Sequence, residues 1–167
     1  MEKHPSGKAK RKTLLILDLD GTLYQLPGGS YARSPLRSRV RSRAVLFLAS
    51  RLRQSMPEAQ RTLRHIEKRF GEHISIGIET LYHIDRNIYF RWVWNISPRG
   101  IVRADRKLRS TIQALRLQSR VAILTDAPRV WVQQVLRHLN VADLLSRALY
   151  SGEGDRRKGS TAAFAYV

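Results

Sequence analysis

The sequence predicts an α/β fold with a parallel sheet, and two short apolar runs carry that prediction. Leu14–Leu17 is a run of four apolar residues, followed by Asp18 and Asp20. Val121–Leu124 is a second apolar run, followed by Thr125. Unbroken apolar runs of this length, bounded by turn signals, are typical of parallel strands that are buried on both faces. Helical patterns separate the two runs, as the crossover between parallel strands requires.

Asp18 and Asp20 come directly after the first run, where ligands bind in an open α/β sheet. Gly21 follows at once and permits a sharp turn. Two neighbouring carboxylates are costly unless a cation compensates them, and hard oxygen ligands of this kind suit Mg²⁺. One carboxylate could attack an electrophile while the other moves a proton. A solvated, acidic turn is the simpler alternative that the two acids alone leave open.

The stretch between the two runs predicts a small helical bundle inserted into the core. Arginines alternating with apolar residues predict an amphipathic helix over 36–53. A capping box that starts at Ser55 predicts a second helix, which ends at Phe70 before a glycine. The apolar and aromatic residues of 74–94 predict one further helix, in which Gly77 is an internal weak point.

Aromatic side chains are concentrated in that third helix. Interleaved with arginines they could stack on nucleic-acid bases, but at helical spacing they are more typical of a core, and we predict a core role for most of them. His83 and Asp85 are candidates for lining a substrate pocket. The aromatic residues concerned are Tyr82, Tyr89, Phe90, Trp92 and Trp94.

The second half of the chain predicts further strand and helix units. A helix is predicted over 105–117, before the second strand, and another over 129–139, after it. The N-terminus of the latter should face the crevice at the strand ends, a favourable place for an anion. A short strand is predicted near 148–150, and a loop then leads to Lys158.

The string from Leu14 through the Asp-x-Asp-Gly-Thr-Leu segment resembles the first motif of the haloacid dehalogenase-like (HAD) hydrolases. The resemblance implies that Asp18 is the nucleophile, which becomes an aspartyl-phosphate, and that Asp20 is the general acid/base. Thr125 resembles the second-motif residue that holds a phosphate oxygen, and Lys158 has the order and place of the third-motif lysine. The resemblance also implies Mg²⁺, held by Asp18 and Asp20 together with the phosphate.

The chain departs from the family pattern in two places. Asp126 stands after Thr125 where an amide is usual, and we assign it to substrate binding together with Gly21. The acidic fourth motif, which completes the metal site of the family, has no counterpart, so we expect the core to be incomplete at its C-terminal end. Asp126, Glu153 or Asp155 could supply a replacement metal ligand.

Basic side chains dominate the composition. There are 31 Lys and Arg against 13 Asp and Glu, a net charge of +18. Such a surface attracts phosphorylated metabolites or nucleic acid, although the spread of arginines along the chain favours a solvated surface of compositional origin. The absence of cysteine excludes disulfides and Cys-ligated metals. No apolar run is long enough to span a membrane, so we expect no membrane partner and a cytoplasmic location, with the nucleus as the alternative suggested by the basic run at 8–12.

Together these patterns predict three parts. A basic tail occupies 1–12, a HAD-like, Rossmann-like α/β core is formed by 13–24 and 101–167, and a helical cap occupies 25–100. The first motif, the strand order and the position of the inserted helices all agree with this division.

The resemblance implies a Mg²⁺-dependent phosphatase that hydrolyses a small phosphate monoester. Within the family, the chain is most similar to the pyrimidine 5′-nucleotidase group, through Tyr24 after the first motif, the Phe70–Gly71 break and the run Leu139–Leu145. The substrate would then be a nucleotide or a similar phosphorylated metabolite. Two alternatives stay open: a non-catalytic HAD-like protein whose basic surface binds nucleic acid or another anion, and a phosphatase that acts on nucleic-acid ends.

Overall fold

The computed structural model describes residues 12–151, Glu153, Lys158 and 161–165. Its strands are β1 (Leu14–Leu17), β2 (Arg120–Thr125) and β3 (Leu149–Ser151). Its helices are α1 (Pro35–Leu52), α2 (Met56–Phe70), α3 (Ile74–Tyr82), α4 (Arg86–Val93), α5 (Leu108–Gln118), α6 (Arg129–His138), α7 (Ala142–Leu145) and α8 (Thr161–Ala165). The predicted α/β class is confirmed.

The three strands form one parallel sheet in the order β1-β2-β3. Leu17 pairs with Ile123, and Thr125 pairs with Ser151. Because all three strands run the same way, their carboxyl ends lie at one edge of the sheet. The residues that follow β1 therefore come beside the end of β2, at the edge where ligands bind in open α/β sheets.

β1 is less buried than predicted, because the sequence predicted a strand that is covered on both faces. Ile16 is 37% exposed, and the other three residues of the strand are only half-buried. β2, by contrast, is buried from Val121 to Thr125, because it lies between two strands and contacts α5 and α7. Within the described residues β1 has a strand neighbour on one side only. An apolar run does not by itself distinguish a central strand from an edge strand.

Helices α1–α4 form the helical insertion, residues 35–93, between β1 and β2. α1 contacts α2 and α4, and α3 contacts both α2 and α4. Across the first of these contacts the Arg41 guanidinium binds both carboxylate oxygens of Glu67 at 3.0 Å. The buried stripe of α1 comprises Leu36, Val40, Ala44, Val45, Phe47 and Leu48, and none of its arginines is fully buried.

α2 begins and ends where predicted. The Glu58 carboxylate accepts hydrogen bonds from the backbone N–H of Ser55 at 2.8 Å and from its hydroxyl at 2.6 Å. These bonds satisfy donors that the first turn of the helix cannot satisfy itself. The helix ends at Phe70, and Gly71 adopts a positive φ of 60°.

The prediction of one helix over 74–94 was wrong, because the segment forms two helices. His83 closes α3 in the left-handed conformation, with φ of 54°. The Asp85 carboxylate then accepts the backbone N–H of Asn87 at 2.7 Å and starts α4. His83 and Asp85 therefore make the break between two helices, and neither lines the cleft described below.

Gly77 lies inside α3 without breaking it, contrary to its reading as a weak point. A Cβ atom at this position would lie 2.5 Å from Cγ2 of Ile66 and 2.8 Å from Cδ2 of Phe70. Both neighbours belong to α2, so the glycine lets the two helices approach closely. Its cost in helix propensity is offset by that packing.

Helices α5 and α6 agree with the prediction apart from their ends, whereas α7 was not predicted. α5 begins at Leu108 rather than 105, because the Asp105 carboxylate accepts the backbone N–H of Lys107 at 2.8 Å and holds a turn before the helix. Residues 1–11 of the predicted tail lie outside the described residues, and the three-part division stays a prediction. None of the helices in the described part of the chain is long and apolar enough to cross a membrane.

Candidate active site

A tight loop follows β1 and carries both aspartates of the first motif. The Leu19 carbonyl accepts the N–H of Leu23 at 3.0 Å, and the Gly21 N–H donates to the Tyr24 carbonyl at 2.9 Å. Gly21 has a φ of 84°, which favours glycine, while a Cβ there would meet nothing within 4 Å. The backbone conformation, and not a lack of space, therefore requires the glycine. The loop returns Tyr24 to the side of Asp20.

Asp18 contacts Lys158, a residue from the far end of the sequence. Its Oδ1 lies 2.5 Å from the Lys158 ammonium and also accepts the N–H of Leu19 at 2.7 Å. About a third of each charged side chain is exposed, 37% for Asp18 and 31% for Lys158. A pair so exposed contributes about 0–1 kcal/mol to stability. The contact therefore matters more for what it places together than for holding the fold.

Asp20 lies in a different environment from Asp18. The Tyr24 hydroxyl donates a hydrogen bond to its Oδ1. Burial raises the pKa of the Asp20 carboxyl, and the hydrogen bond from Tyr24 opposes that rise. The nearby charge of Asp18 raises the same pKa, and that of Lys158 lowers it. A carboxyl that keeps its proton to higher pH suits the donation of that proton to a leaving oxygen.

Tyr24 and Trp131 form the buried surroundings of Asp20. Burial, with the adjacent Asp20 charge, raises the pKa of Tyr24, so its hydroxyl stays protonated as a donor. Trp131 of α6 is fully buried, and its indole lowers the pKa of both Asp20 and Tyr24. Its Nε1 has no hydrogen bond of ordinary geometry within the described residues. Sequence reasoning missed both roles, because they depend on how the loop after β1 turns over α6.

Thr125 and Asp126 lie at the end of β2. Thr125 is 1% exposed, and its hydroxyl oxygen accepts the N–H of Ala127 at 3.2 Å. The Asp126 carboxylate accepts the backbone N–H of Lys158 at 2.8 Å. The acid that departs from the family pattern thus ties the end of β2 to the residue carrying the ammonium. The phosphate-binding role of Thr125 and the substrate-binding roles of Gly21 and Asp126 stay predictions.

The N-terminus of α6 already has an anionic partner. The Glu153 carboxylate accepts the N–H of Arg129, the first residue of this helix, at 2.8 Å. A carboxylate is favoured there by the partial positive charge of the helix end. A phosphate would have to compete with Glu153 for that position, which the sequence did not indicate. Asp155 lies outside the described residues.

The donor chemistry of Asp18 and Asp20 suits a hard divalent cation. Asp18 offers carboxylate oxygens and Asp20 its backbone carbonyl, both of the hard oxygen type that Mg²⁺ prefers, so the Asp20 carboxyl can still carry a proton. In the part of the chain that the structure describes, no group of three or more His, Cys, Asp or Glu could hold a metal ion. Asp18 and Asp20 would therefore hold Mg²⁺ with few protein ligands, and water and phosphate would complete its shell.

A cleft of about 350 Å³ opens between the carboxyl edge of the sheet and the helical insertion. Asp20 and Asp126 line it from the sheet side, and Glu72 and Trp94 line it from the other side. We call it the insertion cleft. Sequence reasoning found the two aspartates but not Glu72, because that acid lies in an irregular segment between α2 and α3.

Three of the aromatic residues predicted as core line the insertion cleft, namely Tyr89, Phe90 and Trp94, and of these Tyr89 is buried. Trp92 is 36% exposed, and the Arg43 guanidinium lies over its ring.

Comparisons with known proteins give a likeness to solved structures alone. No family model and no curated protein matches the sequence. Among solved structures, the chain is similar to YfnB from Bacillus subtilis, described as a HAD hydrolase and crystallised with magnesium. The TM-score is 0.43 and the identity 16%, over 94% of this chain and 73% of that chain. At that distance the likeness carries no argument about function, and the site stands on its own geometry.

Proposed function

We propose that this protein is a HAD-like phosphatase that hydrolyses a small phosphate monoester, with a pyrimidine nucleotide among the candidate substrates. The observation that carries the proposal is the contact between the Asp18 carboxylate and the Lys158 ammonium at 2.5 Å, beside the half-buried Asp20. A nucleophilic carboxylate, a proton donor and a fixed cation at one sheet edge are the parts that phosphoryl transfer needs.

The first step is attack by Asp18 on phosphorus. Its Oδ1 is held by Lys158 and by the Leu19 N–H, while Oδ2 has no partner among the described residues and is the oxygen that attacks. An oxygen–phosphorus bond forms to Asp18 as the bond to the leaving oxygen breaks. Asp20 donates its proton to that oxygen, so the product leaves as a neutral alcohol.

The second step is hydrolysis of the aspartyl-phosphate. Asp20, now ionised, takes a proton from a water molecule, and the water oxygen bonds to phosphorus. The bond between phosphorus and Asp18 breaks, which releases inorganic phosphate and restores both carboxyl groups. In both steps the Lys158 ammonium neutralises charge on the phosphoryl oxygens, and the Thr125 hydroxyl donates a hydrogen bond to one of them. Bound Mg²⁺ would supply further charge neutralisation at those oxygens.

The test is hydrolysis of p-nitrophenyl phosphate in the presence of Mg²⁺. We expect Asp18→Asn to abolish turnover, because an amide side chain cannot form the aspartyl-phosphate. Its circular dichroism spectrum should match that of the wild type, which would show that the fold is retained. Asp20→Asn should lower the rate of aspartyl-phosphate hydrolysis by about 10²–10⁴-fold, the usual contribution of a positioned acid or base. Asp105→Asn is the matched control, since Asp105 is exposed and lies in a turn before α5. Turnover by Asp18→Asn at the wild-type rate would eliminate the proposed route.

The net charge of +18 supports a second candidate function, the binding of nucleic acid without catalysis. α1 contains no acidic residue, and its Arg37, Arg39 and Arg51 are exposed. In that case Asp18→Asn would leave nucleic-acid affinity unchanged, and p-nitrophenyl phosphate would not be hydrolysed by either protein.

A further inference from the structure

The insertion cleft has a wall suited to a flat ring. Tyr31 and Trp94 lie on its insertion side with ring centroids 6.0 Å apart and planes only 14° from parallel. Phe90 lies one helical turn before Trp94 on α4 and lines the same wall. Aromatic side chains with exposed faces bind planar ligands by stacking, largely without regard to the exact ring.

The charge lining this cleft is opposite to the charge of the protein. Glu72 and Asp126 line it together with His73 and with Asp20, the proposed proton donor, and no Lys or Arg lines it among the described residues, in a chain with a net charge of +18. Glu72 is exposed, and its ionic contact among the described residues is a long one to Arg37, at 3.9 Å. One oxygen of Asp126 is used by the Lys158 N–H. A second anionic group on a ligand would be repelled here, whereas an amino or cationic nitrogen would be attracted.

We propose that the insertion cleft binds a nitrogen-containing aromatic ring that carries an amino or cationic group, as the leaving group of a single phosphate ester. This inference rests on the proposed function for the position of the phosphate, which lies at Asp18. The ring stacks on the Tyr31 and Trp94 side, and its positive or N–H-bearing edge faces Glu72. The inference thus narrows the substrate class from any small phosphate monoester to one of this chemistry.

The binding test uses Asp18→Asn protein, so that no ligand is consumed, and reads the tryptophan fluorescence during titration. The probes are thiamine monophosphate, which has a cationic ring, CMP and UMP, which differ in an amino group, and phosphocholine, a cation without a ring. We expect thiamine monophosphate and CMP to bind about tenfold or more tightly than UMP and phosphocholine, because charge-assisted contacts to Glu72 and stacking then act together.

Two substitutions locate the effect. Glu72→Gln should remove most of the preference for CMP over UMP, and Trp94→Leu should weaken every ring-bearing probe. Glu58→Gln is the matched control, because it lies outside the cleft on α2 and glutamine retains the capping box. Equal affinity for CMP and UMP, or a preference unaffected by Glu72→Gln, would overturn the inference.

Turnover separates this inference from the proposed function. If the wild-type protein hydrolyses p-nitrophenyl phosphate but shows no preference among the probes, the phosphatase stands and the substrate class is wrong. If it hydrolyses nothing yet binds thiamine monophosphate through Glu72, the cleft stands and the phosphatase proposal is wrong.

Discussion

Asp18 and Asp20 have different surroundings although only one residue separates them in the sequence. Asp18 is about a third exposed and ion-paired with Lys158, whereas Asp20 is largely buried and accepts the hydrogen bond of Tyr24. A pair of carboxyl groups in unlike environments can divide the tasks of nucleophile and proton donor. The proposed roles of Asp18 and Asp20 require such a division, and they stay predictions.

Replacement of Tyr24 by phenylalanine tests the role of its hydroxyl on Asp20. The Tyr24 hydrogen bond stabilises the ionised carboxylate and lowers its pKa, so its loss should raise the pKa of Asp20 further above the ordinary value. Because the first step needs protonated Asp20, kcat/KM should fall with rising pH through that pKa. We expect the fall to move to higher pH in Tyr24→Phe, as measured by the pH profile for hydrolysis of a phosphate monoester whose leaving group is an alcohol and therefore needs a proton.

Tyr82→Phe is the control for this prediction, since Tyr82 lies on α3 and does not line the insertion cleft. It should leave the pH profile in place. A profile for Tyr24→Phe that coincides with that of the wild type, or that moves to lower pH, would contradict the assignment of Asp20 as the proton donor.

At the scale of elements, the contact between α2 and α3 depends on Gly77. Alanine at an ordinary helical position stabilises a helix by about 1 kcal/mol relative to glycine. At Gly77 the added Cβ would lie 2.5 Å from Ile66, so overpacking should reverse the sign. We expect Gly77→Ala to destabilise the protein by about 1–3 kcal/mol in urea unfolding. Thr80→Ala, at an exposed position of the same helix, should be neutral or stabilising.

The ends of α2 show that a sequence can specify where a helix begins and ends when the signals are local. The end signals of α2 are local, a capping box at Ser55 and a glycine after Phe70, and both were read correctly. The break between α3 and α4 was missed although Asp85, a preferred type of N-cap residue, marks the start of α4. The exposure of β1 was missed for a different reason, since edge or central position is a property of the whole sheet.

The candidate site divides in the same way between local and long-range information. Asp18, Asp20 and Lys158 were found from motif order, and the structure brings Asp18 and Lys158 into contact. The insertion cleft was not found, because Glu72 and Trp94 come from separate irregular segments that only the fold brings together. The hydrogen bond from the Lys158 backbone N–H to the Asp126 carboxylate could not be predicted either, because the two residues are far apart in the sequence.

At the scale of the whole molecule, the net charge of +18 predicts salt-dependent binding of nucleic acid. Counterion release should make the logarithm of the association constant fall linearly with the logarithm of salt concentration. Fluorescence anisotropy with a labelled oligo-dT probe measures this slope. Arg39→Gln should reduce the slope by about one unit if this exposed arginine contacts a phosphate. Binding that is absent or insensitive to salt would mean that the charge has no such role.

Arg109→Gln is the matched control for the salt experiment. Arg109 binds both carboxylate oxygens of Asp143 at 2.7 Å, so its charge is already neutralised within the protein. The slope should change less than for Arg39→Gln, whose guanidinium has no acidic partner among the described residues. Equal changes for the two variants would show that only the net charge matters.

The central claim is that Asp18 takes the phosphoryl group, and trapping that group tests it most directly. The variant suited to this test is Asp20→Asn with p-nitrophenyl phosphate as substrate. Its first step should still proceed, because nitrophenolate leaves without needing a proton. Its second step should be slow, because the base that activates water is missing. The phosphorylated protein should then accumulate, and acid quenching followed by peptide mass spectrometry should find the phosphoryl group on Asp18, labile to hydroxylamine. Rapid turnover with no modification at Asp18, or with the phosphoryl group on another residue, would contradict the account.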